Sequence, residues 1–433
     1  MFDEIVDLRA QHYLRSLIDS LPYDDRVRLK TLRYCNTDVA TVGENRVYLL
    51  RSNKGRTSFF GLQTCKNPWV CPHCVAIQMK KYRERIAAAI ELQKEKGYVG
   101  IMITFTIPHI RPQSCKEVTK VLYDSFSDCF KNAHKNRETA EGDFRSCGVF
   151  NTFFHDCEIK DYVRVCEHTH GANGWHPHFH CIFWLPKRNV QKVLQYEETL
   201  KERWDKAVAK TYQKYWKKNG TILSDSSKRL LIDLKNKQTK DYGAQSLWIS
   251  KNGEKVVVAN SAAYLTGWTI DKELTGLQYK TARKHRNGKH YTPHELLELA
   301  MKGDKQAEAF FIDYLLTVTQ KPVHQRVNFS RTGLCGAVKT YMQQQEFRAI
   351  IKKKQEESQE EWAVFAWFTR NEWFTISQSD KFTNAIENIA YLCSINRKDL
   401  LAEFLLKVFD MRLHDDITPI GLMIQEQIYN KVA

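Results

Sequence analysis

The segment Gly174–Trp184 constrains the fold more than any other part of this sequence. It reads GWHPHFHCIFW, with histidines at positions 176, 178 and 180. Alternate side chains of a β-strand point to the same face, so a strand here places His176, His178 and His180 on one side and Phe179 on the other. The assignment of His176 to that row stays open, because the following proline can end the regular strand.

A second strand is predicted just before the first, and the two are expected to form a hairpin. Residues 162–169 supply the strand, and residues 170–174 contain two glycines and an asparagine that suit a tight turn. Glu167 then lies beside His178 or His180. Two imidazoles and a carboxylate form a ligand set for a divalent metal, and the carboxylate is the hard ligand that Mg²⁺ or Mn²⁺ prefers. The alternative is a strand with polar residues on its solvent face.

A group of cysteines upstream predicts a second metal site. Cys71 and Cys74 form a Cys-x2-Cys knuckle, and Cys65 and Cys35 precede it. The knuckle supplies two thiolates at the separation that a tetrahedral Zn²⁺ needs, and the two upstream cysteines complete four sulfur ligands of a closed, structural site. The alternatives are His73 as a competing ligand and buried thiols without a metal.

The charge balance predicts a polyanionic partner. The chain has 66 Lys and Arg against 50 Asp and Glu, a net charge of +16. Such a surplus fits nucleic acid or an anionic membrane surface. Residues 301–433 are balanced, with 17 basic and 17 acidic side chains, so the surplus lies in the first 300 residues. No long basic amphipathic helix suggests a membrane surface, which favours nucleic acid.

The most basic stretch is residues 201–240, within and after a helix predicted over about 189–216. It holds 12 basic and 4 acidic side chains, interleaved with Trp204, Tyr212, Tyr215 and Trp216. This pattern fits a positive groove in which bases stack on aromatic rings such as Trp204, Tyr215 or Trp216. It fits equally a solvated helix face whose aromatic residues turn inward.

Targeting signals are not evident. No apolar run approaches the length of a membrane span, and the N-terminus reads MFDE, acidic where a secretory signal is basic. We therefore expect a soluble, intracellular protein located in the cytoplasm. In that compartment, clustered cysteines bind metal or remain thiols more often than they form disulfides.

The order of these motifs resembles the HUH endonucleases, and among them the plasmid-type replication initiator (Rep) proteins of rolling-circle replication. Three stretches carry the resemblance: Ile103–His109, Glu167–His180 and the tyrosine-bearing segment Ala263–Gly276. The family's upstream cysteine region corresponds to the cysteines described above. The resemblance covers about residues 30–335 and ends near residue 340.

The resemblance implies a chemical reaction for the hairpin. Tyr264 would attack a phosphodiester of single-stranded DNA, with a metal on the Glu and His residues, to give a 5′-phosphotyrosine and a free 3′-hydroxyl. Asp271 or Glu273 would activate the second cut. The family carries a lysine three residues after its tyrosine, where this chain has Gly267, and Tyr279 is the alternative nucleophile.

The expected fold class is α+β, with a central antiparallel sheet flanked by helices. We predict a helical, zinc-binding region over 1–98, an HUH endonuclease domain over 99–290 and a mainly helical accessory domain over 291–433. The implied partners are single-stranded or hairpin origin DNA, a host helicase and a polymerase. The rival interpretations are an HUH-type transposase with the same chemistry and a non-catalytic, zinc-dependent DNA-binding protein.

Overall fold

The structure is a computed structural model, and it forms two compact units. It describes residues 2–40, 45–67, 69–130, 149–220, 224–236, 247–252, 255–256, 284–285, 288–319, 327–329, 334–355, 362–379 and 382–416. One unit comprises residues 79–342, and we call it the histidine unit. The other comprises residues 1–78 together with 343–433, and we call it the cysteine unit.

The described chain contains both helices and strands, often in runs of one type. The helices are α1 (Phe2–Ser20), α2 (Tyr23–Arg28), α3 (Lys30–Arg33), α4 (Pro72–Glu95), α5 (Cys115–Phe130), α6 (Val149–Asp156), α7 (Lys192–Gln195), α8 (Glu197–Lys218), α9 (Asp225–Lys235), α10 (Pro293–Met301), α11 (Lys305–Val318), α12 (Leu334–Gln355), α13 (Arg370–Gln378), α14 (Phe382–Ser394) and α15 (Lys398–Phe409). The strands are β1 (Arg46–Ser52), β2 (Thr57–Phe60), β3 (Tyr98–Thr106), β4 (Asp161–Gly171), β5 (Gly174–Pro186), β6 (Leu247–Ile249), β7 (Lys251–Asn252), β8 (Lys255–Val256), β9 (Lys284–His285), β10 (Gly288–Lys289), β11 (Val327–Phe329) and β12 (Trp362–Thr369).

The histidine unit is built on a five-stranded antiparallel sheet of order β11-β4-β5-β3-β6. Its centre is the β4–β5 hairpin, in which Gly171 pairs with Gly174 across the two-residue turn. Gly174 has a φ of +94°, a conformation that glycine adopts at little cost. A β-carbon there would also lie 3.3 Å from the backbone of Arg111. The turn therefore fixes the register of the hairpin.

One face of this sheet, which we call the aromatic face, carries Phe105, Phe179 and Phe183. Helices α5, α6 and α8 contribute aromatic rings against it. The ring of Phe126 lies 5.2 Å from that of Phe179, and the ring of Trp204 lies 5.1 Å from that of Phe105. All five side chains are buried, so this aromatic packing forms much of the core of the unit.

The opposite face, which we call the histidine face, carries His178 and His180. Further along the same strands it carries the apolar residues Val163, Val165, Ile182 and Trp184, which belong to one buried cluster with residues of α4 and α12. Apolar packing therefore holds the far end of this face, and the polar side chains lie at the end nearest the hairpin turn.

The cysteine unit contains a three-stranded sheet of order β12-β1-β2. Strand β1 pairs antiparallel with β12, from Arg46 opposite Thr369 to Ser52 opposite Trp362. Helices α13 to α15 pack on this sheet through a buried cluster that includes Val47, Leu49, Phe365, Trp373, Ile389 and Leu405. Two strands more than 300 residues apart in sequence are thus neighbours in one sheet.

The expected α+β class, with antiparallel sheets and many helices, is confirmed. The bounds of the two units differ from the three predicted segments. The last segment, 291–433, is divided between both units because α11 packs in the histidine unit, where Asp313 accepts the backbone N–H of Cys115 at 2.8 Å, and β12 pairs with β1. None of the helices in the described ranges has the length and apolar character needed to cross a lipid bilayer.

Candidate metal centres

The β4–β5 hairpin and the neighbouring β3 bring three polar side chains together on the histidine face. Glu167 of β4 lies directly opposite His178 of β5, and Thr104 of β3 lies directly opposite His180. Directly opposed residues of antiparallel strands point to the same side of a sheet. The alternation of β5 then places His180 beside His178, so that both rings face Glu167.

Glu167, His178 and His180 converge on one point. The Oε2 atom of Glu167 lies 3.3 Å from Nε2 of His178 and 3.3 Å from Nε2 of His180. The candidate ligand atoms of the three residues all lie within 4.8 Å of one another. Their side chains are 8%, 11% and 13% exposed, in that order, so the group is largely desolvated but reachable. We call these residues the Glu-His-His group, and they could hold a metal ion.

The hydrogen bond of His178 indicates which of its ring nitrogens is free. Its Nδ1 lies 3.4 Å from the backbone oxygen of His176. A carbonyl oxygen only accepts, so Nδ1 is the donor in this contact, and Nε2 is the ring nitrogen that faces the carboxylate of Glu167. Since two imidazoles converge on the same oxygen, a cation with several ligands fits the group better than one shared proton.

Thr104 orients the second imidazole. Its Oγ1 lies 3.1 Å from Nδ1 of His180, and the residue is 1% exposed. Such an outer contact fixes the ring and leaves Nε2 directed at Glu167. No metal-ligand motif marks Thr104 in the sequence. The signal that could have found it is the alternation of Thr104 and Thr106 in a strand that pairs with the histidine strand.

His176 lies beside the Glu-His-His group. Its ring stacks against His178, with centroids 4.9 Å apart, and against His109, with centroids 5.3 Å apart. Its Nε2 has no hydrogen-bond partner among the described residues. Burial holds the pKa of His176 well below its usual value and lowers the pKa of His109 to about 4. Both rings are therefore neutral near pH 7, and a role of His176 as a ligand stays a prediction.

The four cysteines named in the sequence analysis form a second group. The Sγ atoms of Cys35 and Cys74 are 3.4 Å apart, those of Cys35 and Cys71 are 3.5 Å apart, and those of Cys65 and Cys74 are 3.6 Å apart. A tetrahedral Zn²⁺ with bonds of about 2.3 Å has sulfur-sulfur edges of about 3.8 Å, so the geometry fits a metal. His73, the competing ligand, is not among the atoms that converge.

The surroundings of this cysteine group are closed. Cys35, Cys71 and Cys74 are buried. Cys71 also lies 3.4 Å from Oε1 of Gln11, whose Nε2 donates to the carbonyl of Leu32 at 3.1 Å. Burial raises the pKa of the Cys71 thiol, and hydrogen bonds led by that from Cys35 lower the pKa of Cys74. Gln11, which no motif marked, thus ties α1 to the cysteine group.

The predicted reaction residues fall outside the described ranges. Tyr264, Asp271 and Glu273, together with the alternative Tyr279, lie in residues 257–283. Their roles as nucleophile and second-cut residues stay predictions.

The aromatic residues of α8 correct the prediction of a stacking groove. Trp204, Tyr212 and Trp216 are buried, and Tyr215 is half-buried. The indole of Trp204 donates to the backbone oxygen of Thr106 at 2.7 Å, and the hydroxyl of Tyr212 donates to that of Pro108 at 2.8 Å. These hydrogen bonds anchor α8 to the end of β3 and to the segment that follows it. The structure therefore agrees with the interpretation in which the aromatic residues of α8 turn inward. Trp204 and Trp216 are buried and are not platforms on which bases stack.

Comparisons with known proteins give one weak similarity. Part of the chain is 26% identical over 160 residues to "Protein rep" of Streptomyces lividans. The aligned region covers 31% of this chain and 32% of that protein. The match therefore spans about a third of the relative's length. No family model and no solved structure matches the chain. The similarity is consistent with a protein of the Rep type.

Proposed function

We propose that this protein is an HUH-type single-strand DNA endonuclease and strand transferase that initiates rolling-circle replication. The observation that carries the proposal is the convergence of Glu167, His178 and His180 at the centre of an antiparallel sheet. The similarity to a protein named for replication and the net charge of +16 support DNA as the partner.

The proposed reaction is a transesterification at one phosphodiester of single-stranded DNA. The hydroxyl oxygen of Tyr264 forms a bond to phosphorus, and the bond from phosphorus to the 3′ oxygen breaks. The products are a 5′-phosphotyrosine and a free 3′-hydroxyl that a polymerase can extend. The phosphotyrosine ester retains the bond energy of the broken phosphodiester, so the strand can later be rejoined without ATP. Hydrolysis of the phosphodiester would release that energy instead.

A phenol is a weak nucleophile at neutral pH and must be activated, because its usual pKa is about 10 and it is mostly protonated. A Mg²⁺ or Mn²⁺ ion held by Glu167, His178 and His180 would polarise the phosphoryl oxygen and stabilise charge on the leaving oxygen. Thr104 would keep the His180 ring oriented for that ion. For the second cut, Asp271 or Glu273 would accept a proton from the attacking water.

The four cysteines have a different proposed role. Sulfur ligands favour Zn²⁺ over Mg²⁺ or Mn²⁺, and four of them leave no open position for a substrate. We therefore assign the cysteine group a structural Zn²⁺ that stabilises the cysteine unit.

The experiment that tests this function traps the covalent product. The protein is incubated with Mn²⁺ and a labelled library of single-stranded DNA, and a denaturing gel separates free DNA from DNA attached to protein. We expect a labelled adduct with the wild type and with the matched control Tyr279→Phe, and none with Tyr264→Phe. An adduct that persists in Tyr264→Phe but is lost in Tyr279→Phe would move the nucleophile to Tyr279. DNA binding without any adduct would instead support the non-catalytic interpretation.

A further inference from the structure

Helix α8 has two halves with different charge patterns. In the first half, cations and acids alternate, and Nζ of Lys201 lies 3.3 Å from Glu197 and 2.8 Å from Glu198. The second half, residues 206–218, has five lysines and no acidic residue. We call these lysines the lysine stripe: Lys206, Lys210, Lys214, Lys217 and Lys218.

The lysine stripe occupies one side of the helix. Spacings of three and four residues keep side chains on the same side of an α-helix, and a rise of 1.5 Å per residue makes the stripe about 18 Å long. All five lysines are exposed, while Trp204, Tyr212 and Trp216 are buried on the other side. Lys210 pairs with Asp128 at 3.3 Å. No ion pair is found for the other four among the described residues, and of these only Lys206 has an acidic residue, Glu202, four residues before it.

Helix stability does not explain this pattern. Like charges four residues apart repel, so the pairs within the lysine stripe destabilise α8. Attraction to the helix dipole acts only within the last turn, which accounts for Lys217 and Lys218 but not for Lys214, whose neighbours four residues away are both lysines. The first half of α8 shows the pattern that stability favours, with acids interleaved. The second half lacks that pattern, which leaves its exposed lysines available to an external anion.

The position of α8 separates the lysine stripe from the Glu-His-His group. Trp204 packs on Phe105 of the aromatic face, whereas His178 and His180 lie on the histidine face. The lysine stripe points away from the sheet on the aromatic side. A phosphate held by the stripe is therefore not the phosphate that reacts at the metal group.

We propose that the lysine stripe binds the phosphate backbone of duplex DNA adjoining the single-stranded segment that is cut. This inference rests on the proposed function. Sites for single strands combine cations with exposed aromatic platforms, and the platforms that α8 could offer are mostly buried. A row of lysines without such platforms suits a duplex, whose bases are already stacked and whose phosphates are the accessible groups.

The test replaces four lysines with glutamine, in the variant Lys206→Gln, Lys214→Gln, Lys217→Gln, Lys218→Gln. Glutamine has a helix propensity similar to lysine, so α8 is expected to fold. Binding to a labelled duplex and to a single strand of equal length is measured over a range of salt. We expect the salt slope for the duplex to become shallower by about 0.9 per lysine, so that the loss of duplex affinity between about 0.05 and 0.2 M salt is about 100-fold smaller than in the wild type. Binding and cleavage of the single strand are expected to stay at wild-type values.

A matched control removes the same charge elsewhere in the histidine unit. Four exposed lysines outside α8 serve for this: Lys96, Lys160, Lys187 and Lys302. Their fourfold glutamine variant is expected to keep the duplex salt slope of the wild type. Three results would each overturn the proposal. The two variants could lose the same amount of duplex affinity, the stripe variant could bind the duplex as tightly as the wild type, or the stripe variant could lose as much affinity for the single strand as for the duplex. A wild-type protein that binds duplex through the stripe but forms no covalent adduct would refute the proposed function and leave the duplex site intact.

Discussion

The two candidate metal centres are built from opposite kinds of ligand. The cysteine group offers four sulfur atoms from three separate stretches of chain, and three of its four residues are buried. The Glu-His-His group offers one oxygen and two nitrogens from a single hairpin. Sulfur ligands in a closed tetrahedron stabilise a fold, whereas three harder ligands leave a position open for a substrate.

The difference suggests a division of roles, in which the cysteine group contributes to stability and the Glu-His-His group to reactivity. The cysteine group joins three stretches of chain, two of which are also linked by backbone hydrogen bonds such as that from the Asn36 N–H to the Gln63 carbonyl. Loss of a metal bound there is therefore expected to weaken the fold of the cysteine unit. The Glu-His-His group lies on a sheet whose opposite, aromatic face is packed against helices, so the loss of its side chains is expected to affect folding less. Each prediction below tests one side of this contrast.

The largest effect is expected for His178→Ala. Loss of one ligand removes the ion that stabilises the transition state, so cleavage should slow by about 10⁴-fold, which corresponds to about 5.4 kcal/mol. The melting temperature should change little, because the histidine unit keeps its aromatic core. Single-turnover cleavage and a thermal melt measure the two quantities. The control is His155→Ala, an exposed histidine of α6. Cleavage at the wild-type rate by His178→Ala would contradict the assignment.

The next effect is expected for Cys71→Ser, which should act on stability and spare the reaction centre. Loss of a structural metal ligand should lower the free energy of unfolding of the cysteine unit by about 3–5 kcal/mol. Metal analysis should show loss of bound zinc, and hydrogen exchange should rise in β1 and β12 more than in β4 and β5. The control Cys393→Ala, at a buried thiol outside the group, should cost about 1 kcal/mol and leave the zinc in place. Equal zinc content in both variants would rule out the site.

A pH effect on stability is expected from His170, a buried histidine of β4 in the histidine unit whose ring packs against Trp175. Burial lowers the pKa of His170 to about 4, whereas an unfolded histidine titrates near 6.5. Between these values only the unfolded chain binds the proton, so stability falls as the pH drops from about 6.5 to 4. The loss should reach about 3 kcal/mol at most. Denaturant unfolding at several pH values should show a smaller loss over this window in His170→Gln than in the wild type. Identical pH profiles would show that His170 does not contribute.

The smallest effect is expected for Thr104→Val, which removes the hydrogen bond to His180 but keeps the shape of the side chain. Outer contacts of this kind are worth about 10–100-fold in metal affinity, or about 1.4–2.7 kcal/mol. Titration with Mn²⁺ by calorimetry measures the loss. Thr104→Ser keeps the hydroxyl and should recover most of the affinity. If valine and serine behave alike, the hydroxyl is not what orients the ring.

The hairpin that carries the Glu-His-His group could be predicted because its rules are local. Strand alternation puts His178 and His180 on one face, and a tight glycine turn sets Glu167 opposite His178. The Cys-x2-Cys knuckle could also be predicted, because its two thiols are brought together by their short spacing in the sequence. These motifs need no knowledge of distant parts of the chain.

Other features depend on distant or ambiguous contacts. Gln11 reaches Cys71 across 60 residues, and β1 pairs with a strand more than 300 residues away, so neither has a local signature. The aromatic residues of α8 have the same spacing whether they face bases or the core. Only the neighbouring sheet, through acceptors such as the carbonyl of Thr106, decides that Trp204 turns inward.

The pairing of β1 with β12 also sets an order of events during protein synthesis. The whole histidine unit leaves the ribosome before β12 does, and at about 5–20 residues per second the interval between the two strands lasts roughly 15–65 s. During that time β1 has no partner on its β12 side, and such an open edge invites pairing with other chains. We therefore expect β1 to stay unpaired on that side until β12 has left the ribosome.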